Sequence, residues 1–437
     1  MYLPDSARWA LTHGLIRFAQ RREAAKGNPA TRRITDPKVR LNPYAHYDSM
    51  RSDEPFVGGL ASKMTVRHEV AAEVLRSDAM GVATFGGAPG PIRRVLAASA
   101  PSAARSVYEP PSMVAVDPPY HSRYRKLVVR AFSAKAVNAL RVRTEEVAAR
   151  LLDEMAGRDL RQPVDVVEAY ASQLPSVVIC EMLGAPTDMS DQFLAWSDAA
   201  ASPLDPGMSR RQFLADQRQI DALLDWLRGH FEQLRRRPGQ DIMSDLVNST
   251  DADGRRLTES ELLATTMLVL AAGLETTVNL MANGIALLEQ HADQRALLAQ
   301  RPELWSNAID EMLRAETPVQ RISRRALRDT RIAGADLAQG EVVVVMLGAA
   351  NRDPDVFVDP ATFDVTRANA GKHLAFGSGI HYCLGAALAK MEAEVGFRAL
   401  YGRFPDLRLL DEGERKPTRN LRGFNRLTAS LAPTPVR

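Results

Sequence analysis

Apolar residues recur at the spacing of an α-helix through the middle of the chain, and breaks rich in Pro and Gly separate the periodic stretches. This pattern predicts helices over Leu140–Met155, Tyr170–Leu183, Asp191–Ala201 and Arg211–Arg236. The next periodic stretch, from Thr258 to Gln290, is too long and too apolar for a helix at the surface. Thr258 and Glu261 have the spacing of a capping box, so we predict a central buried helix that begins there.

Shorter stretches after this helix alternate between apolar and polar residues, which is typical of β-strands. They predict strands near Val319–Arg324, Thr330–Ile332 and Val342–Leu347. Earlier in the chain, the residues from Met80 to Pro119 are rich in Ala, Gly, Pro and Ser and lack a period, which predicts a long mobile loop. The fold class is therefore predicted to be mainly α with a small β region.

The chain is predicted to form one large domain, because no linker, low-complexity block or internal repeat divides its 437 residues. Its first residues, Met1 to Gly27, are amphipathic, but basic residues interrupt the apolar positions. We therefore expect neither a spanning membrane anchor nor a secretory signal there. We assign residues 1–35 to an N-terminal extension with a surface helix, and residues 36–437 to the main domain.

The composition is that of a globular protein, with 45% apolar and 25% charged residues. A net charge of +3 gives no electrostatic argument for a nucleic-acid partner. Two cysteines are too few for a disulfide scaffold and suit a reducing compartment, so we expect a cytoplasmic location.

One of the two cysteines, Cys383, lies in a glycine-framed stretch from Phe376 to Gly385, and an apolar run of helical period follows it. The sulfur is thus expected in a loop that leads into a helix N-terminus, where backbone N–H groups and the helix dipole favour a thiolate. The glycines let the backbone approach a flat ligand closely. A thiolate in this position could bind zinc, attack a carbon centre or ligate haem iron. No second cysteine or paired histidine completes a zinc set.

The spaced pattern Phe376, Gly379, Cys383 and Gly385 resembles the haem-binding loop of the cytochrome P-450 superfamily, in which the cysteine is the proximal iron ligand. The alternative is an inert buried cysteine in a glycine-rich turn. The resemblance covers about residues 42–431 and implies the fold of that superfamily, with haem b between the long central helix and the Cys383 loop. It also implies a bacterial-type member without a spanning helix.

Other residues match positions that hold the haem in that superfamily. His121 and Arg125 are four residues apart, so they project from one face of the helix that they begin. The resemblance assigns both to the haem propionates, together with His381 and with Arg324 rather than Arg325. Bidentate pairing of an arginine with a carboxylate is the physical reason.

The predicted central helix contains Ala271-Ala272-Gly273-Leu274-Glu275-Thr276-Thr277, although other residues would form a better helix. Gly273 and a Thr hydroxyl bonded to an i−4 carbonyl predict a local distortion that opens a groove. Internal packing of a Thr-rich patch is the alternative. The stretch resembles the oxygen-binding segment of the superfamily, which places Gly273 at the haem and gives Glu275 and Thr276 the role of relaying protons to dioxygen.

Glu311 and Arg314 form an i, i+3 pair, a spacing that also occurs in ordinary solvated ion pairs of this chain. Only its place in the chain, between the central helix and the Cys383 loop, matches the structural Glu–Arg–Arg network of the superfamily. The resemblance makes Arg352 the third member of that network.

The resemblance implies a haem-thiolate monooxygenase that activates dioxygen and hydroxylates or epoxidises a small apolar organic substrate. The chain has no recognisable flavin, nicotinamide or iron–sulfur module, so we expect electrons from a ferredoxin-type donor with its NAD(P)H-dependent reductase. Arg123, Lys126, Arg130 and Lys372 are predicted to form the basic docking face. The alternatives are a peroxygenase of the same fold and a non-catalytic haem-thiolate sensor, which would need Cys383 but not the acid–threonine pair.

Overall fold

The computed structural model describes residues 5–26, 32, 35–58, 62–83, 106–205, 207–239, 241–251 and 254–432. Most of these residues are helical, and π-helical turns occupy Ala10–Gly14 and Val167–Ala171. The α-helices in chain order are α1 (Asp5–Trp9), α2 (Leu15–Ala25), α3 (Pro37–Leu41), α4 (Tyr44–Asp48), α5 (His68–Arg76), α6 (Tyr120–Val128), α7 (Ala134–Ala156), α8 (Gln173–Met182), α9 (Ser190–Ala201), α10 (Arg210–Arg236), α11 (Ile242–Asn248), α12 (Glu259–Gln290), α13 (Ala292–Gln300), α14 (Trp305–Ala315), α15 (Leu347–Ala350) and α16 (Ala386–Arg403).

The strands are short and lie in several small sheets. They are β1 (Val57–Gly58), β2 (Lys63–Thr65), β3 (Met80–Val82), β4 (Val164–Asp165), β5 (Ile322–Ala326), β6 (Thr330–Ile332), β7 (Ala335–Leu337), β8 (Val342–Val345), β9 (Arg408–Leu409), β10 (Glu414–Arg415), β11 (Phe424–Arg426) and β12 (Thr428–Ser430). The largest sheet has the order β1-β2-β8-β5-β3, with β2 and β8 parallel and its other pairs antiparallel. A second sheet has the order β4-β12-β9, and β6-β7 and β10-β11 are two-stranded ribbons.

Helix α12 is the central helix that the apolar pattern predicts. The Thr258 hydroxyl accepts a hydrogen bond from the Glu261 N–H (3.3 Å), and the Glu261 carboxylate accepts one from the Thr258 N–H (2.8 Å), so the capping box is present. Within the described ranges, α12 alone has the length and hydropathy of a membrane span, but 78% of its most apolar window is buried inside the protein. This burial is typical of the core helix of a globular fold.

The helix that follows the Cys383 loop, α16, packs closely against α12. A Cβ at Gly284 would collide with the Phe397 ring, and a Cβ at Gly396 would lie 2.6 Å from the Met281 methyl group. Each helix thus supplies a glycine that admits a large side chain of the other helix. Because α16 begins three residues after Cys383, this packing fixes the position of the Cys383 loop relative to the central helix.

Most predicted elements are confirmed with shifted ends. Helices α9 and α10 each begin one residue before the predicted start. The predicted helix at Leu140 begins already at Ala134, where Ser133 caps it, and the one predicted from Tyr170 is divided between a π-helical turn and α8. Strand β6 has the predicted bounds, whereas β5 is shifted towards the C-terminus and Leu347 begins α15.

The prediction of a loop over Met80–Pro119 is wrong at its start. Met80–Val82 forms strand β3, which pairs with β5 because its three residues are buried and apolar enough to join the sheet. Towards the end of the range, Val107 and Met113 are buried in the main core. The middle of the predicted loop, residues 84–105, lies outside the described residues.

The helical segment at the N-terminus packs on the connection between α9 and α10. The Trp9 indole N–H donates to the Met208 carbonyl (3.0 Å), and the Gly207 N–H donates to His13 Nδ1 (3.2 Å). The His13 ring is buried and lies 5.4 Å from the Phe213 ring centroid. The division of the chain at residue 35 stays a prediction.

Candidate active site

The Cys383 loop is a tight turn fixed by backbone hydrogen bonds. The Cys383 N–H donates to the Phe376 carbonyl (2.9 Å), and the Tyr382 N–H donates to the Gly379 carbonyl (3.0 Å). Gly379 has a φ of 72°, and a Cβ there would collide with the Leu75 carbonyl oxygen. Both its conformation and its contact therefore require glycine. The loop presents the Cys383 sulfur just before the start of α16.

The Cys383 thiol is subject to opposing influences. Burial raises its pKa, whereas the Gly385 N–H and the Arg125 guanidinium lower it, and burial is the larger influence. The backbone N–H group at the helix start favours the thiolate, as the sequence predicts, but burial outweighs its effect. A cation next to the sulfur would stabilise the thiolate, as metal coordination does.

Four cationic or potentially cationic side chains converge next to this loop. The rings of His121 and His381 lie 4.1 Å apart, and the Nε2 atom of each is buried without a hydrogen-bond partner in the described residues. Arg324 is 8% exposed, and burial lowers its pKa to about 10 although Asp117 opposes this change. Burial, Arg324, His121 and Arg125 together lower the pKa of His381 to about 3. Such a cluster has donors and positive potential available for an anion.

One short stripe of α12 is accessible although the helix is buried on both sides of it. Ala272, Gly273 and Thr276 are exposed or partly exposed, whereas the residues from Leu262 to Ala271 and from Thr277 to Leu288 are buried. The Thr276 hydroxyl donates to the Ala272 carbonyl (2.5 Å), which is the predicted i−4 bond. The helix nevertheless stays α-helical throughout, so the predicted distortion does not interrupt it.

Glu275 points away from this stripe into protein and is 4% exposed. Its Oε1 atom accepts hydrogen bonds from Lys416 Nζ (2.8 Å) and Asn279 Nδ2 (3.2 Å). Asp198 of α9 lies beside it. No pattern in the sequence connects Lys416 or Asp198 with Glu275, because they are distant in the chain and neither belongs to a recognisable motif.

Known proteins resemble this chain in sequence and in fold. A family model described as Cytochrome P450 matches residues 99–429. The chain belongs to the cytochrome P450 family. A protein of Mycobacterium tuberculosis named putative cytochrome P450 140 is 45% identical over 436 residues, which are 99% of this chain and 98% of the relative.

Two further relatives extend the comparison. The 6-deoxyerythronolide B hydroxylase of Saccharopolyspora erythraea is 40% identical over 72% of this chain and 76% of its own length. The crystal structure of P450BioI with an acyl carrier protein that carries hexadec-9Z-enoic acid superposes with a TM-score of 0.81 at 31% identity, covering 90% of this chain and 99% of P450BioI. This chain is thus a monooxygenase of the oxidoreductase class. Its family uses haem iron, dioxygen, a redox partner and an organic substrate.

The residues of this cytochrome P450 fit a haem. The unpaired imidazole nitrogens of His121 and His381 and the buried Arg324 are suitable donors for the two propionates, and Arg125 adds positive charge. Cys383 would supply the sulfur ligand that the family requires. When bound, the haem supplies the activation of dioxygen.

The Glu311–Arg314 pair is fully buried and belongs to a hydrogen-bonded network, but the predicted third member of that network is wrong. Glu311 accepts two hydrogen bonds from Arg314 (2.6 and 2.8 Å) and one from Arg367 Nε (3.1 Å). Arg352 instead donates to the Ala315 carbonyl and stacks over the Tyr44 ring, 3.4 Å from its centroid. The chain turns between positions 352 and 367. As a result, Arg367 lies against Glu311, whereas Arg352 lies against Glu316.

Arg352 belongs to a second cluster that the sequence did not predict. Its Nη2 lies 3.7 Å from Glu316, which also contacts Arg415 (3.3 Å) and Arg422 (2.6 Å). These cations outweigh the effect of burial and lower the pKa of Glu316 to about 2. The cluster ties α14 to the C-terminal β region.

Proposed function

We propose that this cytochrome P450 binds haem b through Cys383 and inserts one oxygen atom of dioxygen into an apolar organic substrate, by hydroxylation or epoxidation, in the cytoplasm. One observation carries the proposal: buried donors without partners converge beside the only cysteine that stands in a glycine-framed loop. An inert structural cysteine would not need that cluster, because unpaired buried donors are costly in a folded protein.

In this proposal each side chain near Cys383 has a distinct part. His121 and His381 donate hydrogen bonds to the two propionates, and Arg125 and Arg324 neutralise their charge. The Phe376 ring is at the start of the Cys383 loop, and its centroid lies 6.2 Å from that of the Tyr382 ring. On the side of the proposed haem position away from Cys383, Gly273 belongs to the accessible stripe of α12 and lets the helix backbone approach the macrocycle.

Thr276 and Glu275 are proposed to move protons to the haem face during the reaction. Thr276 is the accessible hydroxyl of the α12 stripe, and Glu275 is the buried acid next to it in the chain. A side chain that passes a proton in the transition state typically accelerates a reaction about 10²–10⁴-fold. A haem-thiolate sensor would not need this pair.

The substrate class is proposed from relatives. Named relatives and neighbours include a 6-deoxyerythronolide B hydroxylase, a vitamin D(3) 25-hydroxylase and structures with myristic acid or testosterone. These ligands share a large apolar surface. We propose that this chain likewise takes a mainly apolar molecule and fixes it by few polar contacts.

The test of the proposed function is Thr276→Ala, assayed with a substrate found by a ligand screen that reads the spin state of the iron. Product per reducing equivalent is expected to fall about tenfold or more, because the hydroxyl no longer delivers its proton and peroxide is released instead. Thr276→Ser keeps the hydroxyl and serves as the matched control, with coupling close to that of the wild type.

Three outcomes would contradict the proposed function. Equal coupling in Thr276→Ala and the wild type would reject the proton relay. In the wild type, a lack of substrate-dependent consumption of reducing equivalents would favour a sensor, and full activity with hydrogen peroxide alone would favour a peroxygenase.

We propose that the electron donor is a ferredoxin with an acidic surface that docks near the Cys383 loop. Lys126, Arg130 and Lys372 are exposed, as the prediction requires. Arg123 is not available, since it pairs with Asp251 (2.7 Å) and Glu261 (2.8 Å). The proposed docking face therefore consists of the three exposed cations.

Lys126→Glu combined with Arg130→Glu is expected to slow reduction by a ferredoxin about tenfold at low salt, because opposite charges speed the encounter of the two proteins. The difference should shrink as salt screens the charges. The measurement is the reduction rate as a function of ionic strength. Arg235→Glu with Arg236→Glu makes the same charge change at the end of α10 and is the control. Equal salt dependence in both double variants would exclude this docking face.

A further inference from the structure

A polar cavity of about 800 Å³ lies beside the central helix α12, next to Val278. Its wall includes exposed charged residues of α7, among them Arg150 and Glu154. The same wall includes Asp198 of α9 and Lys416 of the C-terminal region. The cavity therefore connects the protein surface with the groups that contact the buried acid of α12.

Asp198 lines this cavity and its side chain is exposed there. Its carboxyl group hydrogen-bonds to that of Glu275. Burial raises the pKa of Asp198 to about 8; the charge of Glu275 and the hydrogen bond to it add to this rise, as does Asp216 of α10, whereas Lys416 lowers the pKa. These influences favour the protonated form of Asp198.

The contacts of Glu275 leave one oxygen atom for that proton. Lys416 and Asn279 both donate to Oε1. Oε2 is buried, and in the described part of the chain no permanent donor reaches it. Asp198, when it is protonated, can donate a hydrogen bond to Oε2 of Glu275. The carboxyl groups of Asp198 and Glu275 therefore lie next to each other, beside a cavity that water can enter.

We propose that Asp198 is the residue through which protons from the cavity reach Glu275. The inference rests on the proposed role of Glu275 and Thr276. Asp198 gives its proton to the Glu275 carboxylate, which becomes a carboxylic acid, and the Asp198 carboxylate left behind takes a proton from a hydronium ion of the cavity. Lys416 holds Glu275 in place through Oε1 and leaves Oε2 for the transfer.

The structural alternative is that Asp198, Glu275 and Lys416 only tie α9, α12 and the C-terminal region together. Such a role would depend on shape and hydrogen bonding but not on a transferable proton. Asp198→Asn separates the two roles, because the amide keeps the size and an N–H donor for Glu275 but has no acidic proton. Asp198→Glu restores the acid and is the conservative rescue.

The first measurement is infrared spectroscopy of the full-length, haem-loaded protein as a function of pH. The wild type is expected to show a band of a protonated carboxyl group that shifts in D₂O and disappears as the pH rises through about 8. Burial raises the pKa of Glu392 to about 8 as well, so Asp198→Asn should lose the Asp198 component of this band and keep the Glu392 component. Glu392→Gln is the matched control, because it removes another buried acid with a pKa of about 8 that does not act on Asp198, and it should keep the Asp198 component.

The second measurement is product per reducing equivalent. Asp198→Asn is expected to lower the product per reducing equivalent about tenfold or more at pH 7, to a value close to that of Glu275→Gln. Asp198→Glu should recover most of the wild-type value. Coupling in the wild type should fall above about pH 8, as Asp198 loses its proton, and this fall should be absent in Asp198→Asn.

Each contradictory outcome has its own meaning. If Glu275→Gln loses coupling while Asp198→Asn keeps it, the role of Asp198 is wrong and the proposed function stands. If neither variant loses coupling, the proposed relay fails as a whole. If Asp198→Asn does not fold, Lys416→Met decides: removal of the cation should move the carboxyl band to higher pH, and an unchanged band would overturn the inference.

Discussion

Cys383→Ser is expected to abolish substrate oxidation while the chain still folds. The backbone bond from the Cys383 N–H to the Phe376 carbonyl and the start of α16 do not involve the sulfur, so the loop should persist. A serine hydroxyl stays protonated at neutral pH and cannot replace the thiolate ligand. Product formation, haem content and the denaturant midpoint should be measured on the same preparation.

Cys180→Ala is the matched control for the sulfur. Cys180 is fully buried in α8, and burial raises the pKa of its thiol to about 12, so it is an unreactive core residue. This variant should keep substrate oxidation, with some loss of stability from the small cavity. If substrate oxidation survives in Cys383→Ser but is lost in Cys180→Ala, then Cys180 and not Cys383 is the cysteine that the reaction needs.

Glu311→Gln is expected to lower the free energy of unfolding by about 3–5 kcal/mol, because it leaves Arg314 as a buried charge without its carboxylate. Both side chains of this pair are 0% exposed. Arg314 also donates to the carbonyls of Asn351, Pro360 and Thr362, so its displacement would loosen the segment before the Cys383 loop. Chemical denaturation followed by circular dichroism measures the effect.

The control for this prediction is Glu232→Gln, which removes an exposed carboxylate that pairs with Arg236 at 3.7 Å. Exposed pairs contribute little, so its midpoint should stay close to that of the wild type. Arg367→Ala should also lower the free energy of unfolding, because it removes a hydrogen bond to Glu311. If Arg352 completed the network instead, Arg352→Ala would be the variant that leaves Glu311 without this partner. Wild-type stability in Glu311→Gln would show that the buried pair is not a structural support.

The sequence alone predicted the features that depend on local pattern. The apolar period of α12 and its capping box are local, and both are present. The glycine spacing around Cys383 was informative because backbone conformation at Gly379 allows few other residues. Length, caps and glycine positions are set by neighbours in the chain, so they are readable without the fold.

The features that the sequence did not predict are contacts between distant segments. Arg352 and Arg367 are both arginines after the same helix, and only the path of the turn between them decides which one reaches Glu311. Asp198 and Lys416 are ordinary charged residues until α9 and the C-terminal region pack beside Glu275. Spacing in the sequence contains no information about such partners.

The most direct test of the central claim, that Cys383 ligates haem iron as a thiolate, is the absorption spectrum of the reduced protein with carbon monoxide. The wild type is expected to show the red-shifted band of thiolate ligation, and Cys180→Ala should show it too. Cys383→Ser should bind carbon monoxide without that band. The same red-shifted band in Cys383→Ser, or its absence from the haem-loaded wild type, would contradict the claim.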